Sequence, residues 1–295
     1  MASSFLAWYR RCYLLINVPL LFLIANFVVA RLDLARFKVN DLEIADARLR
    51  AYPPEGKPVL LLVGNSGMRE AVDEAQLETA LGAPDHPIRV YNYGLSSARI
   101  SDVFELTRRL LGSGLKPTAV VLGLNPFLID DHVNPDSRFP WNHSPMPYLY
   151  AHRSILRELA KKGSRRMSDP HRYADAPPTP AQRAFAVDGF LHEFDHRPID
   201  YPLLDQVPEF LAWLRDQGIA VHVIVLPLSP DGAKLSNFHE LVAAVRSKAP
   251  PGSLDLAERY PYTMFADIGH VTATARKQIT VEVAGWLAGK GAFAR

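Results

Sequence analysis

Residues 59–70 read VLLLVGNSGMRE. The run Val59–Val63 is apolar without interruption, the pattern of a strand covered on both faces by helices in a parallel sheet. Gly64 and Asn65 end the run, and a helix is expected to follow through Glu70 to Leu81. A strand that passes through a tight turn into a helix is the repeating unit of open α/β sheets.

The same rhythm recurs on both sides of Pro126–Pro202. Ile88–Asn92 reads as a second strand and Ser101–Leu111 as a helix with Val103, Leu106, Leu110 and Leu111 on its apolar side. AVVLGLN at 119–125 is a third buried strand, VHVIVLP at 221–227 a fourth, and Ser253–Leu256 a short last one. Helices are expected over Leu203–Gln217, Phe238–Lys248 and Thr272–Leu287. The order predicts a three-layer α/β/α sandwich around a mostly parallel sheet. The segment 126–202, rich in Pro, Asp, His, Tyr and Arg, reads as an insertion with one helix near Ser154–Lys161 and otherwise long loops.

Composition bounds the function. The chain has 295 residues, 48% of them hydrophobic, enough to bury a substantial core. Its 33 basic and 31 acidic residues nearly balance, so no extended nucleic-acid footprint is expected. Cys12 is the one cysteine, which leaves no disulfide, no Cys-rich zinc site and no cysteine nucleophile in the globular part.

Residues 12–30, CYLLINVPLLFLIANFVVA, form a stretch of 19 residues without a carboxylate or basic side chain. As a helix it would be about 28 Å long, close to the ~30 Å of bilayer hydrocarbon. A single transmembrane anchor is the first reading, with a cleaved signal peptide and a buried soluble helix as competitors. Arg10 and Arg11 precede the stretch and Arg31, Arg36 and Lys38 follow it, so flanking charge leaves the orientation open. Asn17 and Asn26 within the span favour a membrane protein partner. The expected organisation is thus a tail and anchor over 1–33, a connector over 34–56, and a domain over 57–295 carrying the insertion at about 126–202.

Ligands of open α/β sheets lie beyond the carboxyl ends of the strands. Three polar groups fall there: Ser66 after the first strand, Gly94 after the second and Asn125 at the end of the third. Ser66 can be a nucleophile or an ordinary helix N-cap. Asn125 can donate its amide to an oxyanion, with Gly94 letting the backbone approach and adding an N–H, or both can be loop residues. In FADIGHVTATARKQI at 265–279, Asp267 and His270 stand three residues apart before a helix. One turn can aim both into one cleft, with His270 as base and Asp267 as the group that orients it. A cap for Asp267 and a surface or metal-binding role for His270 are the alternatives, although the pair alone is an incomplete metal site.

These blocks resemble the SGNH (GDSL-like) hydrolase superfamily: GNS at 64–66, GL at 94–95, GLN at 123–125 and DIGH at 267–270, in family order. GNS stands where many members have GDS, so Asn65 replaces an acidic residue beside the nucleophile. The resemblance implies an SGNH/flavodoxin-like fold, a Ser66–His270–Asp267 triad, and an oxyanion hole of Ser66 N–H, Gly94 N–H and the Asn125 amide, without cofactor or metal. The anchor and the short FADIGH block are similar to membrane-anchored members that modify cell-surface polymers, including the D-alanyl-transfer proteins of teichoic-acid D-alanylation and the exopolysaccharide O-acetylation proteins. That similarity implies an exported domain held at the cytoplasmic membrane, a multi-pass membrane-bound O-acyltransferase as partner, and a polysaccharide acceptor. An esterase and a non-catalytic subunit of the same kind of complex are the competing functions. Arg69, one turn past Ser66, is a candidate for a polymer carboxylate or phosphate, with a solvated helix residue as the alternative, and Trp141 and Tyr148 in FPWNHSPMPYLY are candidates for stacking on a sugar ring, with packing of the insertion against its own domain as the alternative.

Overall fold

The computed structural model describes residues 17, 20, 21, 49, 52–83, 85–95, 98–128, 179–194 and 201–291. The chain divides into two compact units, residues 1–43 with 134–168, and residues 44–133 with 169–295. Of the first unit only Asn17, Leu20 and Leu21 are described, each helical, so the fold below is that of the second. The remainder of the 12–30 stretch, most of the 34–56 connector, the expected helix near Ser154–Lys161, and both Trp141 and Tyr148 lie outside the described residues. Among the described residues no helix is long and apolar enough to cross a membrane.

Five strands, β1 (Val59–Asn65), β2 (Arg89–Leu95), β3 (Ala119–Leu124), β4 (Ala220–Val225) and β5 (Leu254–Asp255), form one sheet in the order β2-β1-β3-β4-β5. Every pairing is parallel. All residues of β1 and β3 are buried, so both faces of the sheet centre are covered. This is why these strands are unbroken apolar runs rather than alternating ones.

Seven helices are described: α1 (Ser66–Ala71), α2 (Glu74–Leu81), α3 (Ile100–Gly112), α4 (Pro180–Phe194), α5 (Tyr201–Asp216), α6 (Phe238–Lys248) and α7 (Ala273–Gly289). α7 packs on α1 and α2, while α5 packs on α3 and α6. A core cluster that includes Leu60, Leu62, Met68, Leu77, Val121, Ile224, Ile279 and Val283 fills the space beside α7.

Strands one and two run further than the apolar pattern predicts. The β1–β2 ladder continues through Gly64↔Gly94 and Asn65↔Leu95, because the parallel register carries on through residues that have little or no apolar side chain. The helix expected over Glu70–Leu81 is two helices. Asp73 breaks it, its side chain accepting the Gln76 N–H at 2.8 Å as the N-cap of α2 and its own N–H donating to Thr280 Oγ1 at 2.9 Å. The released end of α1 is satisfied by Asn92, whose side-chain amide donates to the carbonyls of Met68 and Val72.

α4 corrects the reading of 126–202, which placed its one helix elsewhere. Thr179 Oγ1 accepts the Gln182 N–H at 3.3 Å and Gln182 Oε1 accepts the Thr179 N–H at 3.0 Å, a reciprocal cap with Pro180 at the first helical position. The sequence TPAQ carries this signature; the many prolines and charges around it hid the signal.

Candidate active site

The turn from β1 into α1 decides what the Ser66 hydroxyl can do. Asn65, not Ser66, is the N-cap of α1, its Oδ1 accepting the Gly67 N–H at 3.0 Å. Ser66 is therefore the first residue of the helix with its hydroxyl left over from capping. That oxygen lies 2.8 Å from Nε2 of His270, a residue 204 positions away.

His270 is held by the turn in front of α7. Asp267 Oδ1 accepts the backbone N–H groups of Gly269 and His270, each at 2.8 Å, which folds the carboxylate back over its own loop. The same carboxylate meets His270 Nδ1 at 2.8 Å through Oδ2 and 3.0 Å through Oδ1. Ala266 N donates to the His270 carbonyl at 2.8 Å, Phe265 pairs with Val271, and Ser229 N donates to the Ile268 carbonyl at 2.9 Å. Thr272 caps α7, so Asp267 is free of that duty.

An ionised carboxylate only accepts, so Nδ1 of His270 carries the ring proton and Nε2 offers its lone pair to the Ser66 hydroxyl. Burial alone would push the Asp267 carboxyl up. The hydrogen bond and charge of His270, together with the N–H groups of Gly269 and His270, outweigh it and hold the group below its ordinary value. The three side chains can thus pass a proton from oxygen to imidazole and stabilise the imidazolium that results.

Asn125 adjoins this line. It is 1% exposed and forms a reciprocal amide pair with Asn65: Asn65 Nδ2 donates to Asn125 Oδ1 at 2.8 Å, and Asn125 Nδ2 donates back to Asn65 Oδ1 at 3.1 Å. A Cβ at Gly67 would stand 2.8 Å from Asn125 Nδ2, so the amide lies against the backbone one residue past Ser66.

Gly94 is placed differently from its expected role. Its N–H donates to Asn92 Oδ1 at 3.2 Å rather than into the open site. A Cβ there would stand 2.4 Å from Arg69 N and 2.7 Å from Asn65 O, so the glycine is what lets α1 cross the end of β2. Arg69 donates to Glu70 Oε1 at 3.1 Å. Glu70 is fully buried and its Oε2 accepts from Arg276 Nη2 at 2.7 Å, while Arg276 Nε donates to the Glu70 carbonyl at 2.8 Å. This pair ties the helix of Ser66 to the helix that follows His270. Sequence reading missed it, since nothing local marks a charge pair 206 positions apart.

A cavity of about 600 Å³ lies along α4, lined among others by Arg183, Val187, Asp231, Tyr262 and Phe265, without Ser66 or His270 on its wall. Arg183 pairs with Asp231 and stacks on Tyr262 at 4.7 Å from the ring centroid. Among the described residues no group of three or more His, Cys, Asp or Glu side chains is arranged to hold a metal ion. No protein-family model matches this chain, and no curated protein matches it significantly.

Proposed function

We propose that this protein is an SGNH-type serine O-acyltransferase, with a three-layer flavodoxin-like domain on the outer side of the cytoplasmic membrane, acting on an exported or cell-surface polysaccharide. The observation that supports it is the continuous line from Ser66 Oγ to His270 Nε2 at 2.8 Å and from His270 Nδ1 to Asp267 at 2.8 Å. A purely architectural domain has no need of that alignment, which favours catalysis over a non-catalytic subunit.

In the proposed reaction the Ser66 oxygen bonds to the carbonyl carbon of an acyl ester or thioester while its proton passes to His270 Nε2. The carbonyl oxygen becomes an oxyanion, stabilised by the Ser66 N–H and the outward N–H of the Asn125 amide. Gly94 N–H joins them only by giving up its 3.2 Å bond to Asn92 Oδ1. The bond to the donor's alcohol or thiol then breaks, and the departing atom takes the proton from His270. A sugar hydroxyl enters, loses its proton to His270 and bonds to the acyl carbon; the bond from that carbon to Ser66 Oγ then breaks, and His270 returns the proton to the freed Ser66 oxygen. Water in place of the sugar makes the same machinery an esterase. The anchor at residues 12–30 and a multi-pass membrane-bound O-acyltransferase that supplies the acyl group belong to the same proposal, with acetyl as the expected group and no cofactor.

The test compares the full chain with Ser66→Ala, with and without the membrane partner, following acetate released and acetate bound to polysaccharide. The expected result is partner-dependent polymer acetylation that falls by about 10³-fold or more in the variant. Unchanged acetylation by Ser66→Ala would overturn the assignment of the nucleophile. Rapid acetate release without polymer acetylation would make the protein an esterase.

A further inference from the structure

Ser66 and His270 belong to different elements, so something must set the height and rotation of α1 against the turn in front of α7. α1 has six residues, too few to hold a helix by its own hydrogen bonds. Ser66 and Glu70 stand one turn apart and share a face of α1. They meet the His270–α7 unit at two levels, Ser66 Oγ at His270 Nε2 and Glu70 at Arg276, which lies in the first turn of α7. Arg276 grips Glu70 twice, through Nη2 to Oε2 at 2.7 Å and through Nε to the main-chain carbonyl at 2.8 Å. The second bond satisfies a carbonyl that α1 leaves open at its C-terminus. Arg69 Nε takes the other carboxylate oxygen of Glu70 at 3.1 Å.

Stability alone does not account for this pair. The side chain of Glu70 is 0% exposed and that of Arg276 7%. At such burial the loss of hydration cancels much of the attraction, and an apolar pair of similar volume often holds two helices as well or better. What an apolar contact lacks is direction. Two bonds from a planar guanidinium to the side chain and main chain of one residue fix the height and rotation of α1, where Leu against Met would let it slide. We propose that Glu70 and Arg276 are positioning residues, which lock α1 to the unit that carries His270 and so keep Ser66 Oγ within hydrogen-bond reach of Nε2. The proposal rests on the acyl-transfer reading above. A displacement of about 1 Å at this joint is enough to lower the rate about 10²-fold.

Two variants of the full chain separate positioning from support of the fold. The double variant Glu70→Leu/Arg276→Met removes both charges together, so neither is left buried and unpaired. Arg276→Lys keeps the charge beside Glu70 but loses the planar fork. Each is compared with wild type in the turnover of p-nitrophenyl acetate and in the labelling of Ser66 by a fluorophosphonate, where the final number of labels per chain counts folded molecules and the rate reports how well Ser66 is placed. The double variant is expected to label to one per chain but about tenfold or more slowly, with kcat lowered alike and KM little changed. Arg276→Lys is expected to show the same pattern at about threefold or more. A double variant that labels fully at the wild-type rate overturns the proposal, as does a loss that appears only as fewer labelled chains with the rate of the remainder unchanged. If the double variant does not fold, Arg276→Lys decides, and wild-type labelling rate and kcat there overturn the proposal. In each of these cases the acyl-transfer reading stands. Wild type that neither turns over the ester nor is labelled at Ser66 overturns the acyl-transfer reading itself, and this inference with it.

Discussion

Two histidines of this fold have opposite surroundings. His270 stands past the carboxyl ends of the strands, with one ring nitrogen on a carboxylate and the other on a hydroxyl. His222 lies in the first half of β4, opposite Val121 of β3. Its ring meets Trp286 edge to face at 5.7 Å, and its Nε2 is buried without a hydrogen-bond partner among the described residues. Burial first, and then the charge of Lys290, lowers the His222 pKa from the ordinary 6.5. One imidazole is hydrogen-bonded through both nitrogens, and the other is held toward its neutral form. The difference comes from surroundings and not from residue type: His222 is buried without a hydrogen-bond partner among the described residues and lies near Lys290, whereas His270 is bonded on both ring nitrogens.

The comparison breaks most severely if Asp267 is dispensable. Asp267→Asn keeps the size of the side chain but removes the charge that holds the proton on Nδ1, and it is expected to lower acyl turnover by about 10²–10⁴-fold. A steady-state rate within threefold of wild type would show that His270 needs no orienting charge. The same substitution should remove part of the acid sensitivity of the fold. The folded pKa of Asp267 is depressed, so its stabilisation is complete above the ordinary carboxylate value of 3.8 and is lost as pH falls below it.

A smaller effect tests the scaffold at the carboxyl end. Gly94→Ala puts a methyl 2.4 Å from the Arg69 backbone nitrogen, and α1 must shift. The expected cost is about 1–3 kcal/mol in denaturant unfolding, with activity lost in proportion as Ser66 moves. Undiminished stability would show that α1 accommodates the added methyl without cost.

The smallest effect belongs to the other histidine. With its folded pKa lowered, His222 destabilises the fold progressively as pH drops below 6.5, because the unfolded chain takes the proton first. His222→Phe should flatten the rise of Tm with pH between about 5 and 7 without changing turnover at pH 7. An unchanged slope would place that acid sensitivity elsewhere.

Much of this was legible in the linear chain. Strands β1 and β3 are short, unbroken apolar runs, the pattern of strands covered on both faces, and the spacing of Asp267 and His270 is short enough for one turn to join them. α4 was legible too, in the Thr179–Gln182 cap, but its setting among prolines obscured it. The split at Asp73 was not, because a helix of this composition continues unless something outside it takes the Asp73 N–H, and Thr280 does so from α7.

The sequence by itself determined an α/β sheet and the polar residues at its carboxyl end, since hydrophobic runs and their terminators are properties of neighbours along the chain. Only the tertiary structure decided that Asn65 caps α1 and Ser66 does not. Either side chain caps a helix within about 1 kcal/mol of the other. Asn125, 60 positions away, pairs with the Asn65 side chain, and His270, 204 positions away, takes the Ser66 hydroxyl.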